Sequence, residues 1–314
     1  MNLQKKDITR LIKEKAIEAG FDLCGIAPAG LLEKNGEVLK EWCASGMNAG
    51  MEYMSRNLEK RIDPSLLLPG VKSVIVTGIN YFTERKQGGD GVPRISIYAY
   101  GEDYHEVIQN KLKVVTDYIM ELDSASSCTA FVDSVPFFEK PWAMKAGLGW
   151  QGKHSVVVND KIGSFFFIGV ILTTLEAEYD QPADDRCGSC NSCIEACPTR
   201  AVNTNRTIDA QKCIAYLTLD NKLPIEENDI EKLGGRIAGC DRCQEVCPWN
   251  NHAKPHNHPE FDISDELRNM TADDWMNLSK EDHKRLFGKS ALKRRKYEVF
   301  IRNVTNVTKS MKIR

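Results

Sequence analysis

Apolar residues in the first 175 positions recur with two different spacings. Helical spacing appears in residues 7–19, where Ile8, Ile12 and Ala16 share one face, and again in residues 102–122. Four short apolar runs typical of strands alternate with these helices: FDLCGIAP (21–28), VKSVIVTGINY (71–81), CTAFVDSVPF (128–137, with the strand expected to stop at Pro136) and GSFFFIGVILTT (163–174). Helices interleaved with short strands predict a mixed α/β domain, of the α/β or α+β class, over residues 1–175.

The remaining 139 residues predict two smaller units. The acidic, proline-containing stretch EAEYDQPADD (176–185) has no periodicity and predicts a linker. A cysteine-rich module follows it, and NNHAKPHNHPEF (250–261) is typical of a loop. We therefore expect three domains: residues 1–175, residues 176–253, and a short helical C-terminal segment over residues 254–314.

Composition favours a cytoplasmic protein with a core of its own. Of the 314 residues, 42% are hydrophobic and 27% charged, which is enough to bury a core without disulfide bonds. The N-terminal stretch is amphipathic and lacks the apolar region of a secretory signal. The longest apolar run, FFFIGVIL (165–172), is too short to span a bilayer. In the reducing cytoplasm, clustered cysteines more often bind metal than form disulfides.

Charge is distributed unevenly along the chain. The net charge is −2, yet residues 284–314 contain eleven Lys and Arg against one acid, Glu298, so this segment carries +10 and the rest −12. A basic run can be a solvated helix face, or it can contact the phosphates of a nucleic acid. The stretch SALKRRKYEVFIRNV (290–304) also has a helical apolar pattern, which predicts an ordered basic helix.

Eight of the eleven cysteines fall into two related groups. The first, CGSCNSCIEACP (187–198), has the C-x2-C-x2-C-x3-C-P spacing of bacterial ferredoxins, in which three cysteines bind one [4Fe–4S] cluster and the fourth binds the neighbouring cluster. The second group departs from this spacing, because 26 residues separate its first two cysteines. The pattern predicts one cluster on Cys187, Cys190, Cys193 and Cys247, and another on Cys197, Cys213, Cys240 and Cys243.

Zinc is the alternative metal for these thiols. Zinc ribbons favour two C-x2-C pairs, whereas here three cysteines fall within seven residues and a fourth precedes proline. The other three cysteines, Cys24, Cys43 and Cys128, lie in apolar settings and predict buried, inert thiols. The stretch GLGWQGK (147–153) lacks nucleotide-binding spacing, and its glycines predict close backbone approach to a bulky, flat group. The cysteines thus predict electron transfer without identifying the acceptor.

Long, ordered stretches over residues 5–305 resemble the epoxyqueuosine reductases of tRNA modification. They are RIDPSLLLPGVKSVIV (61–76), ISIYAYGEDYHEVI (95–108), VDSVPFFEKPWAMKAGLGWQGKHS (132–155), GSFFFIGVILT (163–173), CGSCNSCIEACPTRAV (187–202), KCIAYLT (212–218) and GCDRCQEVCPWN (239–250). The resemblance implies a cobalamin-binding domain related to those of reductive dehalogenases, followed by a ferredoxin-like module with two [4Fe–4S] clusters. It also implies reduction of epoxyqueuosine at the tRNA wobble position to queuosine, the last step of queuosine synthesis. Electrons would pass through both clusters to cobalamin, which cycles between cob(II)alamin and cob(I)alamin.

The same resemblance implies roles for individual residues. Asp133 would be the general acid, with its pKa raised by burial beside the corrinoid. Without the resemblance, the sequence favours a turn-initiating aspartate that caps the next segment. The residues implied to contact the cofactor are Arg61, Ser96, Asp133, Lys153, His154, Ser155 and Ala215. Asp103, Tyr104 and His105 have the polarity of a site, although a lone histidine more often serves structure. The expected tRNA contacts are Lys293, Arg294, Arg295 and Lys296.

Two other functions remain open from the residues. One is a corrinoid reductase acting on small organohalides, and the other is a non-catalytic, ferredoxin-type electron-transfer protein whose first domain docks a partner enzyme. The expected partners are a tRNA carrying epoxyqueuosine and an external low-potential electron donor, with no membrane and a monomeric protein. Many family members continue into a helical-repeat domain, so tRNA contacts here are expected to rest on the basic segment.

Overall fold

The computed structural model describes residues 4–89 and 91–312. The described strands are β1 (Leu23–Pro28), β2 (Ser73–Asn80), β3 (Arg94–Ile95), β4 (Cys128–Phe131), β5 (Trp150–Gln151), β6 (Val157–Val158), β7 (Phe166–Thr173) and β8 (Arg236–Ala238). The described α-helices are α1 (Lys5–Glu18), α2 (Glu33–Ala44), α3 (Leu58–Ile62), α4 (Tyr104–Leu122), α5 (Glu139–Lys145), α6 (Ser192–Glu195), α7 (Ile214–Leu219), α8 (Glu227–Ile230), α9 (Arg242–Glu245), α10 (Asp265–Asn269), α11 (Ala272–Met276), α12 (Lys280–Phe287) and α13 (Tyr297–Lys312). Helices alternate with strands in the first half of the chain, which confirms the predicted mixed α/β class. No described helix combines the length and the apolar character that crossing a membrane requires.

Four antiparallel strands form the central sheet in the order β1-β2-β7-β4. The inner strand β2 is rich in β-branched residues and is buried at every position, because both of its faces are covered. Ile75 and Ile79 point into a core shared with α1 and α4. Val76 belongs to a second core with Trp142 of α5. The sheet therefore separates two apolar cores, and α5 follows directly on the loop after β4.

Strand β4 ends earlier than the sequence pattern predicts. It pairs with β7 only as far as Phe131, which lies opposite Val170, so the prediction of a strand up to Pro136 is wrong. Two residues later, Asp133 adopts a φ of 47°, in the left-handed region that strand residues do not occupy. The chain therefore leaves the sheet before Asp133 and presents this residue on the loop before α5.

The predicted linker has no helix or strand, but its first half is held against α1 and β1 by ion pairs and a hydrogen bond. Glu176 lies 2.6 Å from the ammonium of Lys5. Asp180 pairs with Lys13 at 2.5 Å and accepts the backbone N–H of Ile26 at 2.8 Å. These contacts fasten the segment to α1 and β1, because each places a carboxylate against a cation or an edge-strand N–H group.

The C-terminal segment shares its core with the N-terminal helices. Trp275 and Phe300 are fully buried in the same apolar cluster as α1 and α4. Asn303 of α13 is buried as well, and its side-chain amide donates to the carbonyl oxygens of Thr218 and Ile237, both at 2.8 Å. Contacts thus cross the expected boundary at residue 253, and the division into three domains remains a prediction.

The basic segment is ordered but is not a single helix. Residues Ala291–Arg294 form a 3-10 turn, which Ser290 caps by accepting the N–H of Leu292. Helix α13 begins only at Tyr297. The cations at positions 293–296 therefore lie before the helix rather than along it, and residues 313–314 at the end of the predicted segment lie outside the described residues.

Candidate active site

A cavity of about 630 Å³ lies between the central-sheet part of the chain and the cysteine-rich module, and residues of both line it. Its wall is formed by α2, by α5, by the β5–β6 hairpin and by the segments that carry the second group of cysteines. The apolar part of the lining includes Val38, Leu39, Trp42, Met54, Phe138, Val156, Val202, Ile208 and Ile214. This size and this apolar lining with a few polar groups are typical of a small-molecule or cofactor site.

Four cysteines from both sequence groups meet at one wall of this cavity. Cys197, Cys213, Cys240 and Cys243 all line it, and we call them the inner cysteines. Burial raises the pKa of the Cys243 thiol well above its ordinary value, and the neighbouring thiols of Cys240 and Cys213 raise it further. These thiols are therefore close enough to interact, although Cys213 and Cys240 are far apart in sequence.

The remaining four cysteines of the module form a second group away from the cavity. Burial raises the pKa of Cys193, and the charges of Cys187 and Cys247 add to this shift. None of these outer cysteines, Cys187, Cys190, Cys193 and Cys247, is among the described residues that line the cavity, and Cys190 is exposed. The two groups are those that the ferredoxin spacing predicts, each drawing on both sequence motifs.

The spacing of these side chains does not suit a single metal ion. Among the described residues, no three His, Cys, Asp or Glu side chains converge closely enough to hold one metal ion. The thiolates of a [4Fe–4S] cluster stand around a cube of eight atoms and need a wider spacing than the ligands of one ion. The donor set, eight thiols in two groups of four, fits the ligand requirement of two such clusters.

The three cysteines outside the module are only partly buried, so the expectation of full burial is wrong. Burial nevertheless raises the pKa of Cys43 and Cys128, and it raises the pKa of Cys24 to about 12. Since the thiolate is the reactive form, these side chains stay protonated and inert at neutral pH.

Asp133 lies on the loop that leaves β4. Its backbone N–H donates to the carboxyl group of Glu139 at 2.5 Å, which holds the left-handed backbone in place. Its Oδ2 accepts a hydrogen bond from the Tyr104 hydroxyl at 3.1 Å and lies 3.9 Å from Nε2 of His105. The side chain is 65% exposed, so the protein's own residues do not provide the burial that the sequence analysis expects.

The residues Asp103, Tyr104 and His105 orient this group from the start of α4. Asp103 is buried and caps the helix, and its Oδ1 lies 2.6 Å from Nδ1 of His105. Burial alone would raise the pKa of Asp103, but hydrogen bonds from His105 and Lys293 outweigh it and lower that pKa. Tyr104 stacks between the rings of His105 and Phe167, with centroids 4.0 and 4.2 Å away. The histidine therefore turns Nε2 toward Asp133.

Two neighbouring residues of α5 were missed by sequence reasoning. Burial, together with the charge of Asp133, raises the pKa of Glu139 to about 8, so this acid keeps its proton at neutral pH. Lys140 lines the cavity, and desolvation by the surrounding protein lowers its pKa, while Asp133, Glu139 and Cys243 oppose the shift. The sequence offered one signal for them: in PFFEKPW (136–142) an acid and a base are adjacent, and the acid, Glu139, comes six residues after Asp133.

His154 supplies an unpaired donor in the cavity wall. It is 3% exposed, and its Nδ1 accepts the N–H of Val156 at 3.3 Å. Burial, with the charge of Lys140, lowers the pKa of His154 to about 4, so the ring is neutral and carries its proton on Nε2. Nε2 has no hydrogen-bond partner among the described residues. Ser155 and Ala215 line the same cavity, so a ligand with amide oxygens, such as a corrinoid, fits this wall.

Four residues expected at the cofactor, Asp133 described above and Arg61, Ser96 and Lys153, are not among the described cavity-lining residues. Arg61 donates to the backbone oxygen of Tyr53 at 3.1 Å and lies beside the Asp133 loop, whose charge acts on it. Ser96 is buried beside Asp241, whose carboxyl group it hydrogen-bonds. Lys153 donates to the loop that carries the outer cysteines. The structure thus brings His154, Ser155 and Ala215 to the cavity and leaves the other four, including Asp133, outside its lining.

The glycines of GLGWQGK approach protein rather than a flat ligand, so that expectation is wrong. A Cβ on Gly149, which has a φ of 158°, would lie 2.0 Å from the carbonyl oxygen of Val158. A Cβ on Gly152 would lie 2.6 Å from the ring of His154. These close approaches shape the β5–β6 hairpin and the position of His154.

The cations at positions 293–296 border the Asp133 group, and three of them are paired. Lys293 lies 3.0 Å from Asp103 and also bonds Glu106. Arg295 lies 3.1 Å from Asp220. Arg294 is held less closely, 3.8 Å from Asp103 and 3.5 Å from Nε2 of His105, and its side chain is 54% exposed. Lys296 is exposed as well. The structure therefore leaves these last two most available to a ligand.

Two family models match the chain. The model described as "Epoxyqueuosine reductase QueG, DUF1730" matches residues 61–134, and the model for a 4Fe-4S double cluster binding domain matches residues 186–250. The epoxyqueuosine reductase of Cellulophaga algicola is 44% identical over 304 residues, which cover 97% of this chain and 99% of that protein. The chain belongs to the epoxyqueuosine reductase family. It is an oxidoreductase, and the cofactors of the family are cobalamin and two [4Fe–4S] clusters.

Further relatives agree with this membership. The epoxyqueuosine reductase of Leadbetterella byssophila is 43% identical over 96% of this chain and 99% of its own length. A crystal structure of an epoxyqueuosine reductase with an epoxyqueuosine-modified tRNA(Tyr) stem loop has a TM-score of 0.91 at 27% identity, covering 98% of this chain and 83% of that one. A Bacillus subtilis reductase, with its catalytic aspartate loop swung out of the active site, gives a TM-score of 0.90 at 27% identity, with the same coverage.

Proposed function

We propose that this protein reduces the epoxide of epoxyqueuosine in tRNA to the alkene of queuosine, with Asp133 as the proton donor. One observation carries the proposal: the cavity is lined both by the four inner cysteines and by Lys140, and the residue before Lys140, Glu139, accepts the backbone N–H of Asp133 at 2.5 Å. A candidate acid and a candidate cluster site therefore flank one cofactor-sized space. Family membership and the likeness to a reductase with a modified stem loop support the substrate.

The reaction fixes what the site must supply. Converting the epoxide to an alkene breaks two C–O bonds and releases the oxygen as water, which consumes two electrons and two protons. The two [4Fe–4S] clusters provide one-electron transfer, and cobalamin, when bound, provides a metal centre able to deliver two electrons. The inner cysteines, His154, Ser155 and Ala215 would face the corrinoid, since they line the cavity.

The protein's own residues handle the proton and the geometry. Asp133 as a carboxylic acid would donate its proton to the departing oxygen, and the Tyr104 hydroxyl and His105 hold the carboxyl group in one orientation. Glu139 holds the backbone of Asp133 from the other side. Substrate and corrinoid together would cover the exposed carboxyl group and exclude water from it. The B. subtilis relative with its aspartate loop swung out supports a loop that can move when substrate binds or leaves.

The positions of the two cysteine groups support a direction for the electrons. The outer group includes the exposed Cys190 within the exposed residues 188–191, whereas the inner cysteines face the cavity. An external low-potential donor would therefore meet the protein at the outer group. A substrate in tRNA also supports a cytoplasmic location for the protein.

The proposal is tested with anaerobically reconstituted protein, cobalamin and a stem loop that contains epoxyqueuosine. We expect the corrinoid to remain bound through repurification and the nucleoside to become queuosine under a low-potential reductant, as mass spectrometry of the digested RNA would record. Protein that holds both clusters but no corrinoid would instead indicate an electron-transfer protein. Turnover of a chlorinated aromatic without conversion of the stem loop would indicate a dehalogenase.

Arg294 and Lys296 are expected to contact RNA phosphates. Changing both to glutamate should weaken binding of the stem loop about 10-fold at roughly 0.1 M salt, and should lower the salt slope of log K by about one for each phosphate that is no longer neutralised. Lys293 and Arg295 are left in place because their ion pairs are the shorter ones, at 3.0 and 3.1 Å, whereas Arg294 lies 3.8 Å from Asp103. The measurement is fluorescence anisotropy across a salt series.

Lys284 provides the matched control, since it is exposed and belongs to the same basic segment of sequence. Lys284→Glu should bind the stem loop nearly as wild type does. An equal drop in affinity in the control and in the double variant would mean that the whole basic surface acts through its net charge, without a specific role for positions 294 and 296.

A further inference from the structure

Lys153 connects the cavity wall to the cysteine-rich module. It lies in the β5–β6 hairpin, and the next residue, His154, lines the cavity. Its own ammonium group points toward residues 188–191, which lie between Cys187 and Cys193 and include Cys190. This lysine therefore connects the hairpin to residues 188–191 of the outer group by hydrogen bonds.

All three N–H donors of the ammonium have an acceptor on that loop. The nitrogen lies 3.0 Å from the carbonyl oxygen of Gly188, 2.8 Å from that of Cys190 and 2.9 Å from the side-chain oxygen of Asn191. A lysine has three such donors, so its hydrogen-bonding capacity is fully used. Residues 188–191 are exposed and belong to no helix or strand, which makes contacts from outside the loop important for its shape.

The charge of Lys153 has a consequence as well. A [4Fe–4S] cluster with four thiolate ligands carries net negative charge, and its reduction adds one more. A cation held nearby stabilises the reduced form relative to the oxidised form, and charge, hydrogen bonding and solvent exposure together set the reduction potential. The ammonium is fixed 2.8 Å from the backbone of the ligand Cys190, so its charge cannot move away with the side chain.

We propose that Lys153 is a positioning residue of the outer [4Fe–4S] cluster. Its ammonium holds the loop 188–191 against the hairpin and keeps a positive charge beside the cluster. This charge raises the reduction potential of that cluster, so that an external donor reduces it more easily. The inference rests on the cluster assignment proposed above. It gives Lys153 a role different from the corrinoid contact that the family resemblance implies.

The test is an anaerobic redox titration of the reconstituted holoenzyme, followed by electron paramagnetic resonance. In Lys153→Met, we expect the potential of one cluster to fall while that of the other is unchanged. Iron release to a chelator should become several-fold faster, and the corrinoid absorption bands should persist.

In Lys153→Arg, which keeps the charge, the potential should stay near that of wild type. Lys161→Met is the matched control, because Lys161 is exposed and its ammonium contacts no acid among the described residues.

Each outcome decides the proposal. Unchanged potentials and unchanged iron release in Lys153→Met would overturn it, and so would an equal shift in Lys161→Met. Loss of corrinoid with unshifted clusters would show that Lys153 binds the cofactor instead. If Lys153→Met retains only about four iron atoms, one cluster has been lost, which supports the role of Lys153 in holding the loop 188–191. A lowered potential in Lys153→Arg would then overturn the second part of the proposal, that the positive charge sets the reduction potential. Because the potentials are measured without tRNA, failure of the proposed reaction would not affect this result.

Discussion

Asp133→Asn is expected to lower the rate of epoxyqueuosine reduction by about 100-fold or more, while cobalamin and both clusters remain bound. Asparagine preserves the size of the side chain and can still accept the hydrogen bond from the Tyr104 hydroxyl, so the loop should keep its position. It has no acidic proton to give to the departing oxygen, and positioned general acids contribute roughly 10²–10⁴-fold to rate. The measurement is single-turnover conversion of the modified stem loop, with iron and corrinoid content determined on the same sample.

Asp117→Asn is the control for this substitution. Asp117 lies on α4 and pairs with Lys113 at 2.6 Å in a surface ion pair, whose contribution to stability is small. Its variant should turn over the stem loop at the wild-type rate. Near-normal turnover by Asp133→Asn, with the cofactors retained, would remove Asp133 from the mechanism and leave Glu139 or His105 as the acid to test next.

Cys197→Ala and Cys243→Ala are expected to lose the same cluster and to abolish turnover. Cys197 belongs to the first sequence motif and Cys243 to the second, yet both line the cavity with the inner group. Each variant should hold about four iron atoms where the wild-type protein holds about eight, because a [4Fe–4S] cluster needs all four thiolates. Electron paramagnetic resonance of the two reduced variants should show the same remaining signal.

Cys193→Ala tests the other group, and Cys24→Ala is the control. Cys193 interacts with Cys187 and Cys247, so its removal should leave the complementary signal, that of the inner cluster. Cys24 lies outside the module and keeps its thiol protonated, so its variant should retain all the iron. Identical spectra from Cys193→Ala and Cys197→Ala would mean that each cluster is bound within one motif, contrary to the crossed grouping.

Local patterns predict the elements of the fold well, because their physical causes are local. Short apolar runs predict β1, β2 and β7, and period-3.6 spacing predicts α1 and α4, all within a few residues. The cysteine grouping is predictable for a related reason, since a cluster needs four sulfurs and the C-x2-C-x2-C-x3-C-P spacing already fixes how they divide. By contrast, β4 ends early because the left-handed backbone of Asp133 is held by Glu139, a contact that no spacing rule contains.

The site itself depends on distances that the sequence does not encode locally. Lys153 is a cation next to cavity residues in sequence, and only the folded hairpin turns its ammonium toward the outer cysteines. The sequence does not show that Asp103, Tyr104 and His105 act together with Asp133, because they meet it only when the start of α4 packs against the loop after β4. Glu139 acquires its unusual pKa from burial and from the charge of Asp133, both consequences of tertiary packing.

The buried amide of Asn303 has a consequence for how the enzyme matures. It ties α13 to the carbonyl oxygens of Thr218 and Ile237, which lie on the elements that follow Cys213 and precede Cys240. The scaffold around two of the inner ligands is thus completed by residues close to the end of the chain. Iron and sulfide would then be loaded only once α13 has been synthesised and has packed against these elements, and not as soon as the cysteines themselves emerge.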